Sequence, residues 1–177
     1  NTNLIPNPTV TYTPSGATGS LAYTPVGDAN GSTVITVTVT DNGGTDDGGV
    51  NTTTITFTVA VTAVNDPVTL SGPIEDYTVL EDDGVTTVAG LDDIFDDIDI
   101  LNGDGPSLQT LTYSVVSNSN SDLATPSIDA GTGVLTVSYS SDDNGQATIT
   151  VRADDSNGST LDESFTVTVT AVNDPVT

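Results

Sequence analysis

The nonapeptide VTAVNDPVT occurs twice in this chain, at residues 61–69 and again at residues 169–177. The residues before both copies alternate valine with threonine, a period that is typical of β-strands with one buried face. A spacing of about 100 residues is the size of one β-sandwich domain. The repeat therefore predicts a tandem array in which this nonapeptide ends one domain and joins it to the next.

Other segments extend the repeat towards the N-terminus. SGATGSL (15–21) aligns with DAGTGVL (129–135), and DANGSTVITVTVTDNGG (28–44) aligns with DDNGQATITVRADDSNG (142–158). The alternation predicts antiparallel strands in the first repeat at about 8–13, 20–25, 33–40 and 53–63, with no convincing helical period. At the offset of these segments Asn1 aligns with Val115, so the first repeat has no counterpart of residues 70–114.

We therefore predict two domains of an all-β chain. Residues 1–65 would be the C-terminal part of one β-sandwich, incomplete at its N-terminal side, and residues 66–177 a complete β-sandwich. The missing strands would come either from a longer chain or from another chain by β-augmentation, and the sequence leaves both open.

The net charge of the chain limits the kinds of partner that it is expected to bind. The chain has 25 acidic residues and one basic residue, Arg152, for a formal charge of −24. Contacts to phosphate need Lys or Arg, so nucleic acid and anionic membrane surfaces are not expected partners. No apolar run approaches the roughly 18 residues of a membrane span, so no membrane insertion is predicted. Cations are the natural counterpart of this charge, and we expect cation binding and folding to be coupled.

Catalytic side chains are scarce. The sequence has no His, Cys or Lys, and it has neither a Gly-x-Ser-x-Gly nucleophile turn nor a glycine-rich phosphate loop ending in Lys. Carboxylate pairs remain, but a glycosidase needs two of them across a sugar-binding cleft, which thin sandwich repeats seldom form. We predict that the chain is not an enzyme.

The acidic residues concentrate in IEDYTVLEDDGVTTVAGLDDIFDDIDILNGDG (74–105). Ca²⁺ takes six to eight oxygen ligands and binds Asp, Glu, Asn and backbone carbonyls. Asp97 and Asp99 form an Asp-x-Asp pair that can turn two carboxylates onto one ion. The stretch is not an EF-hand, because Leu101 takes the place of the third ligand. It is either a solvated acidic loop or a site whose other ligands come from distant segments.

Three segments resemble one known family. The last two strands and the Asn-Asp-Pro joint of a cadherin repeat resemble ITVRADDSNGSTLDESFTVTVTAVNDPVT (149–177). The Asp-x-Asp loop and the following strand of such a repeat resemble DDIDILNGDGPSLQTLTYSVV (96–116). The strand after that resembles TGVLTV (132–137). Among these repeats, the chain resembles the bacterial cadherin-like repeats of large surface adhesins, whose joints commonly read Val-Asn-Asp-Ala-Pro where this chain reads Val-Asn-Asp-Pro-Val. The resemblance implies tandem Ig-like (cadherin-like) Greek-key β-sandwiches.

The resemblance also implies Ca²⁺ at both joints. At the first joint the ligands would be Asn65 and Asp66 of the linker with Asp97, Asp99 and Asp155 of the second domain, and Asp28 of the first domain is a further candidate. At the second joint they would be Glu81, or alternatively Glu75, with Asn173 and Asp174. The other interpretation of Asn-Asp-Pro is an interdomain turn in which Asn and Asp cap backbone groups and Pro stiffens the link.

The function that the resemblance implies is a Ca²⁺-stiffened, rod-like spacer or filament segment of an extracellular, bacterial-type adhesin. Its partners would be neighbouring repeats of the same chain or other copies. The alternative is a carbohydrate-binding β-sandwich module, which would need exposed aromatic side chains. Against it, four of the five tyrosines run in phase with apolar residues of the predicted strands and are expected in the core; they are Tyr12, Tyr23, Tyr113 and Tyr139.

Overall fold

The structure is a computed structural model of the 177-residue chain. It describes residues 1–13, 16, 18–102 and 109–173. The chain divides into two compact units, Asn1–Val64 (unit 1) and Asn65–Thr177 (unit 2). This division lies one residue before the boundary predicted from the sequence. In the described part of the chain no helix is both long enough and apolar enough to span a membrane.

Unit 1 consists of two antiparallel hairpins. The first pairs β1 (Thr9–Tyr12) with β2 (Gly19–Ala22), and the second pairs β3 (Gly31–Thr40) with β4 (Thr52–Val61). These strands lie where the alternation of valine and threonine predicts them. The buried core of unit 1 is small and consists of Leu4, Ile5 and Ile35.

Unit 2 is a sandwich of two larger sheets. Its elements in chain order are β5 (Thr69–Leu70), β6 (Tyr77–Leu80), β7 (Val85–Gly90), β8 (Phe95–Asp96), the short helix α1 (Ile98–Asn102), β9 (Thr112–Asn118), β10 (Ala124–Ile128), β11 (Val134–Tyr139), β12 (Gly145–Asp154) and β13 (Thr160–Thr170). One sheet has the order β6-β13-β12-β9 and the other β10-β11-β7, while β5 pairs with β8. The β6–β13 pair is parallel, and the other strand pairs in the described residues are antiparallel.

The core of unit 2 lies between these two sheets. Along β12, Ile149, Val151 and Ala153 are each 0% exposed, because every second side chain of a strand points to the same face. Leu135 and Val137 of β11 meet them from the other sheet, in one continuous apolar cluster. Full burial of one such branched side chain contributes about 1.5–3 kcal/mol, so this layer dominates the stability of unit 2.

The tyrosines divide between the two units. In unit 2 they pack against the core as predicted: the Tyr113 ring lies 5.9 Å from the ring of Phe95, and the hydroxyls of Tyr139 and Tyr77 are 3.1 Å apart. In unit 1 the prediction is wrong, because Tyr12 is 58% and Tyr23 is 41% exposed. An alternating pattern indicates which side chains lie on the same face of a strand, but it does not indicate whether a second sheet covers that face.

The hairpins of unit 1 correspond to the last four strands of unit 2. The β1–β2 hairpin is the counterpart of β10–β11, and β3–β4 is the counterpart of β12–β13, as the aligned sequences require. Val10 pairs with Leu21 in unit 1, and Ile128 pairs with Leu135 in unit 2. Because Leu21 aligns with Leu135 in sequence, Val10 is the structural counterpart of Ile128.

This register corrects the alignment at the start of the chain. Counting back from that pair, Asn1 corresponds to Ser119 and not to Val115, because the first hairpin is longer in unit 1 than in unit 2. The corrected alignment places Ile5, which is 4% exposed, over Leu123, which is 3% exposed. The described strands of unit 1 thus correspond only to elements that follow β9 in unit 2.

Candidate metal centre

Four carboxylates are buried among the described residues of unit 2, and three of them, Asp97, Asp99 and Asp155, belong to the site predicted for the first joint. Asp97 is 1%, Asp99 is 6% and Asp155 is 0% exposed. Carboxylates are rarely buried to this extent unless a cation or several hydrogen bonds compensate for the lost hydration. Arg152 is the one basic residue of the sequence, and its guanidinium makes two hydrogen bonds with Asp162, of 2.6 and 2.8 Å. No basic side chain therefore neutralises the three buried carboxylates.

The short helix α1 positions two of them. Asp97 directly precedes α1, and its Oδ1 accepts the backbone N–H of Asp99 at 2.9 Å. The backbone N–H of Leu101 donates to the carbonyl of Asp97 at 3.0 Å. The Asp-x-Asp spacing thus closes a tight turn at the start of the helix and places both carboxylates inside unit 2.

Asp155 directly follows β12, and its side chain accepts hydrogen bonds from the turn that leads into β13. Its Oδ1 accepts backbone N–H groups from Asn157 at 2.8 Å and Ser159 at 2.9 Å, and its Oδ2 accepts the side-chain amide of Asn65 at 2.9 Å. Burial raises the pKa of Asp155, but these hydrogen bonds and one from the Gly158 backbone outweigh it, so its pKa is lowered overall. Asp155 is therefore buried in its charged form.

The residues that join β4 to β5 are held against these carboxylates. Besides the bond from Asn65 to Asp155, the backbone N–H of Asp66 donates to Asp99 Oδ2 at 2.8 Å. The backbone N–H of Val68 donates to the hydroxyl of Ser159 at 3.0 Å. The structure thus brings together the five residues predicted for the first joint, which are Asn65, Asp66, Asp97, Asp99 and Asp155.

Gln109 completes the network, and sequence reasoning did not single it out. Its side-chain amide donates to Asn65 Oδ1 at 2.5 Å and lies 3.5 Å from Asp99 Oδ2. Gln109 lies inside the segment that resembles the cadherin Asp-x-Asp loop, but an isolated Gln has no distinctive spacing. Its position in the fold, three residues before β9, is what places it against the linker.

Asp97 is the least compensated of the three carboxylates. Burial raises its pKa, and the nearby charges of Asp99 and Asp155 raise it further, against a partial lowering by the backbone N–H groups of Asp99 and Ile100. Its Oδ2 is buried without a hydrogen-bond partner among the described residues, and so is Oε1 of Gln109. A buried polar atom without a partner costs about 1–3 kcal/mol.

The donor chemistry of this site fits a hard cation. The two unpartnered atoms are a carboxylate oxygen and an amide oxygen, which are the types of ligand that Ca²⁺ takes. Within residues 1–13, 16, 18–102 and 109–173, however, no group of three or more Asp, Glu, His or Cys is arranged to hold a metal ion. The donors are held by the hydrogen bonds described above, so binding a cation would require their arrangement to change.

Glu81 is one of the residues predicted to bind Ca²⁺ at the second joint. This side chain is 5% exposed, and its Oε1 accepts the backbone N–H of Val172 at 2.7 Å, just beyond β13. Asn173, the next residue, is exposed, and Asp174 lies outside the described residues. The alternative, Glu75, is exposed. Glu81 thus contacts the segment that follows β13.

Asp28 belongs to unit 1. It is exposed and lies in the turn before β3, with a backbone φ of 57°. Asp is one of the few residues that adopt this left-handed conformation readily, so the turn alone accounts for it. Its role as a ligand stays a prediction.

The raised pKa of Asp97 predicts a pH dependence for protein freed of divalent cations. The folded-state pKa of this carboxyl lies above its unfolded value of about 3.9. Its contribution to stability is therefore present at low pH and lost as the pH rises through the folded-state pKa. The variant Asp97→Asn buries no charge, so in EDTA it should melt at a higher temperature than the wild type at neutral pH.

This advantage of Asp97→Asn should shrink as the pH falls from 7 towards 4. Thermal melts followed by circular dichroism at several pH values in EDTA measure it directly. A difference in melting temperature that is the same at every pH would contradict the prediction.

Comparisons with known proteins give the fold. The chain is similar to the solved structure of protocadherin gamma B7 extracellular cadherin domains 1–4, with a TM-score of 0.57 and 22% identity over 97% of this chain and 40% of that one. Protocadherin gamma B2 domains 1–5 give a TM-score of 0.58 and 20% identity over 97% and 32%, and mouse cadherin-23 EC22–24 gives 0.52 and 20% over 80% and 43%.

The chain therefore spans less than half the length of each of these structures. No protein-family model matches the sequence. No curated protein matches it either. The fold is that of cadherin-like β-sandwich domains, as the sequence predicts.

Proposed function

We propose that the chain is a structural repeat segment of an extracellular adhesin or surface filament, of the bacterial type, whose joints are stiffened by Ca²⁺. The observation that supports this proposal best is the attachment of Asn65 and Asp66 to carboxylates that are buried without any basic partner. A segment that joins two repeats is held here by the groups that a cation would bind.

The residues that would hold the ion are Asp97, Asp99 and Asp155 through their carboxylates, and Asn65 and Gln109 through their amide oxygens. When bound, Ca²⁺ supplies positive charge that offsets the mutual repulsion of the carboxylates and the cost of burying them. The chain's own part is to carry those oxygens on elements that are distant in sequence: the linker, α1 and the end of β12. Binding would thus tie the linker to unit 2.

Stiffness follows from the number of attachments. Between residues 64 and 68 the chain is fixed by the side chain of Asn65 and by the backbone N–H groups of Asp66 and Val68. A ligand that binds only the folded state stabilises it by about 2.7 kcal/mol at a hundredfold excess over its Kd. Ca²⁺ at the joint would therefore remove rotational freedom from the linker, and an array of such joints would behave as a rod.

The extracellular location follows from the same chemistry. Extracellular Ca²⁺ modules have Kd values of about 10⁻⁴ to 10⁻³ M, so they fill only where Ca²⁺ is plentiful. The formal charge of −24 also favours folding where cations screen or bind it. The partners we propose are neighbouring repeats of the same chain or other copies, and we assign the chain no catalytic role because it has no His, Cys or Lys.

Calorimetric titration with Ca²⁺ and thermal melts in Ca²⁺, Mg²⁺ and EDTA at equal ionic strength test this function. Millimolar Ca²⁺ should raise the melting temperature of unit 2. Mg²⁺ should do little, because it requires a compact octahedral site and keeps its waters. Asp97→Asn and Asp99→Asn should abolish the Ca²⁺ effect, whereas Asp122→Asn, which removes an exposed carboxylate, should preserve it.

Two results would count against the proposal. One is a Ca²⁺ effect no larger than that of matched ionic strength. The other is an equal loss of the effect in Asp122→Asn and Asp97→Asn, which would mean that total charge and not a site is responsible. The carbohydrate-binding alternative is not proposed for unit 2, because its described tyrosines pack against the core.

A further inference from the structure

We propose that Gln109 is a positioning residue: in protein without a bound cation its side-chain amide orients that of Asn65, and the two amides together hold the linker against the buried carboxylates. We call these two hydrogen-bonded side chains the amide relay. Its role in the cation-free state depends on hydrogen bonds alone, and only its consequence for the bound state rests on the function proposed above.

The amide relay connects two carboxylates that come from separate elements. Gln109 Nε2 donates to Asn65 Oδ1 at 2.5 Å and lies 3.5 Å from Oδ2 of Asp99, which belongs to α1. Asn65 Nδ2 in turn donates at 2.9 Å to Oδ2 of Asp155, which directly follows β12. Amide N–H groups thus lie near both carboxylates and compensate for part of the hydration that burial removes.

The carboxylate of Asp155 determines the orientation of both amides. An ionised carboxylate accepts hydrogen bonds and donates none, whereas a side-chain amide has a donor end and an acceptor end. If the amide of Asn65 turned over, its oxygen would lie against Asp155 Oδ2, and its N–H groups would point at those of Gln109. Both contacts would be repulsive, so Asn65 has one favourable orientation, and the hydrogen bond from Gln109 stabilises it.

Gln109 is held by its nitrogen and not by its oxygen. Its Nε2 donates to Asn65, while its Oε1 is buried and has no hydrogen-bond partner among the described residues. A buried acceptor without a partner is unfavourable, so the favourable contact of this side chain in the cation-free state is the one that its N–H groups make.

The backbone of the linker depends on the orientation of Asn65. Asn65 Nδ2 also donates to the carbonyl of Asp66 at 3.1 Å, and the N–H of Asp66 donates to Asp99 Oδ2 at 2.8 Å. Both backbone polar groups of Asp66 are therefore bonded within the network that Gln109 joins. Without the Gln109 donor, Asn65 would lose the contact that orients it, and the backbone at Asp66 would open more often.

A bound cation would displace the amide relay. A cation next to Asn65 Oδ1 would repel the N–H groups of Gln109 that now donate to this oxygen. The relay and the cation are therefore alternative ways of holding the same segment. We expect residues 65–68 to stay attached to unit 2 in both states.

Two variants of the full chain separate the donor of Gln109 from its other properties. Gln109→Glu keeps the size and the oxygen chemistry of the side chain but loses its N–H groups. Gln109→Leu also loses the donor and adds no charge. Gln146→Glu is the matched control, because Gln146 is exposed on β12 and donates to the hydroxyl of Thr168 at 3.1 Å, away from the linker.

The measurement is amide hydrogen exchange in EDTA. Exchange at Asp66 and Val68, whose amides bond to Asp99 and Ser159, should be faster by about tenfold or more in both Gln109 variants and unchanged in Gln146→Glu. Exchange at Ile149, in the centre of unit 2, should stay slow in all of them.

Three results in EDTA would overturn the proposal. One is unchanged exchange at Asp66 and Val68 in both Gln109 variants. Another is faster exchange in Gln109→Glu alone, since the added charge and not the lost donor would then be the cause. The third is an equal acceleration at Ile149, because Gln109 would then support the whole of unit 2 and not the linker.

Added Ca²⁺ distinguishes this role from the proposed function. At millimolar Ca²⁺, Gln109→Glu should regain slow exchange at Asp66, because its carboxylate still offers an oxygen ligand, and Gln109→Leu should regain less. Fast exchange in Gln109→Glu under conditions where Ca²⁺ stabilises the wild type would overturn the displacement of the relay by a cation. If Ca²⁺ does not stabilise the wild type, the proposed function fails, and the comparison in EDTA still decides the role of Gln109.

Discussion

The variant Phe165→Ala is expected to lower the free energy of unfolding of unit 2 by about 3–5 kcal/mol. Phe165 is 1% exposed at the centre of β13, and its ring stacks on that of Tyr77 with 6.0 Å between centroids. Its removal leaves a cavity between two sheets whose other side chains are already closely packed. Denaturant unfolding followed by circular dichroism, with hydrogen exchange to assign the loss to unit 2, measures the effect.

Phe57→Ala is the matched control within the same chain. Phe57 occupies the corresponding place in unit 1 but is 36% exposed, with the ring of Tyr23 6.4 Å away. It has less apolar area to return to water and no enclosed cavity to leave, so the loss should be about 1 kcal/mol. Equal losses at the two positions would mean that unit 1 is covered in solution, and that the contrast between the two units is wrong.

The variant Asp155→Ala is expected to destabilise unit 2 by several kcal/mol even without Ca²⁺. The buried carboxylate accepts the backbone N–H groups of Asn157 and Ser159 and the side-chain amide of Asn65, and each donor left buried without an acceptor costs about 1–3 kcal/mol. The turn between β12 and β13 and the anchoring of the linker should weaken together. Chemical unfolding in EDTA measures the first effect, and exchange of the Asp66 amide measures the second.

Asp154→Ala is the neighbouring control. Asp154 also accepts a backbone N–H in this turn, from Ser156 at 2.7 Å, but the bond is exposed and water can replace it. Its loss should cost less than about 1 kcal/mol and leave the Asp66 amide protected. If the two variants lose similar stability, the burial of Asp155 does not matter energetically, and the argument for a compensated charged centre fails.

The strands could be predicted from the sequence because they depend on a local rule. Ile149 and Val151 alternate with Thr150 and Arg152, and this period alone indicates which face is buried. Tyr12 obeys the same period and is nevertheless exposed, since burial depends on a second layer that no local pattern reports. The hairpin lengths that shift the alignment of Asn1 are also invisible until strand pairing is known.

The candidate site was also predictable from the sequence only in part. Asp97 and Asp99 are joined by local spacing, and the turn at the start of α1 is a direct result of it. Asp155 lies far away in sequence, and its place beside Asn65 was predicted only through the resemblance to cadherin repeats. Gln109 has no local signal and was missed. That these residues bind Ca²⁺ remains a prediction, since their proximity is explained here by hydrogen bonds.

The parallel pairing of β6 with β13 determines how unit 2 would respond to a pulling force. Tyr77 to Leu80 run alongside Val167 to Thr170 in the same direction. Tension applied at the two ends of the unit draws the start of β6 and the end of β13 in opposite directions along a common axis. Their hydrogen bonds are then loaded in shear, all at once, and not opened one after another as in a peeled hairpin. A segment stretched between two surfaces would thus carry load through this strand pair, however stiff or flexible its joints are.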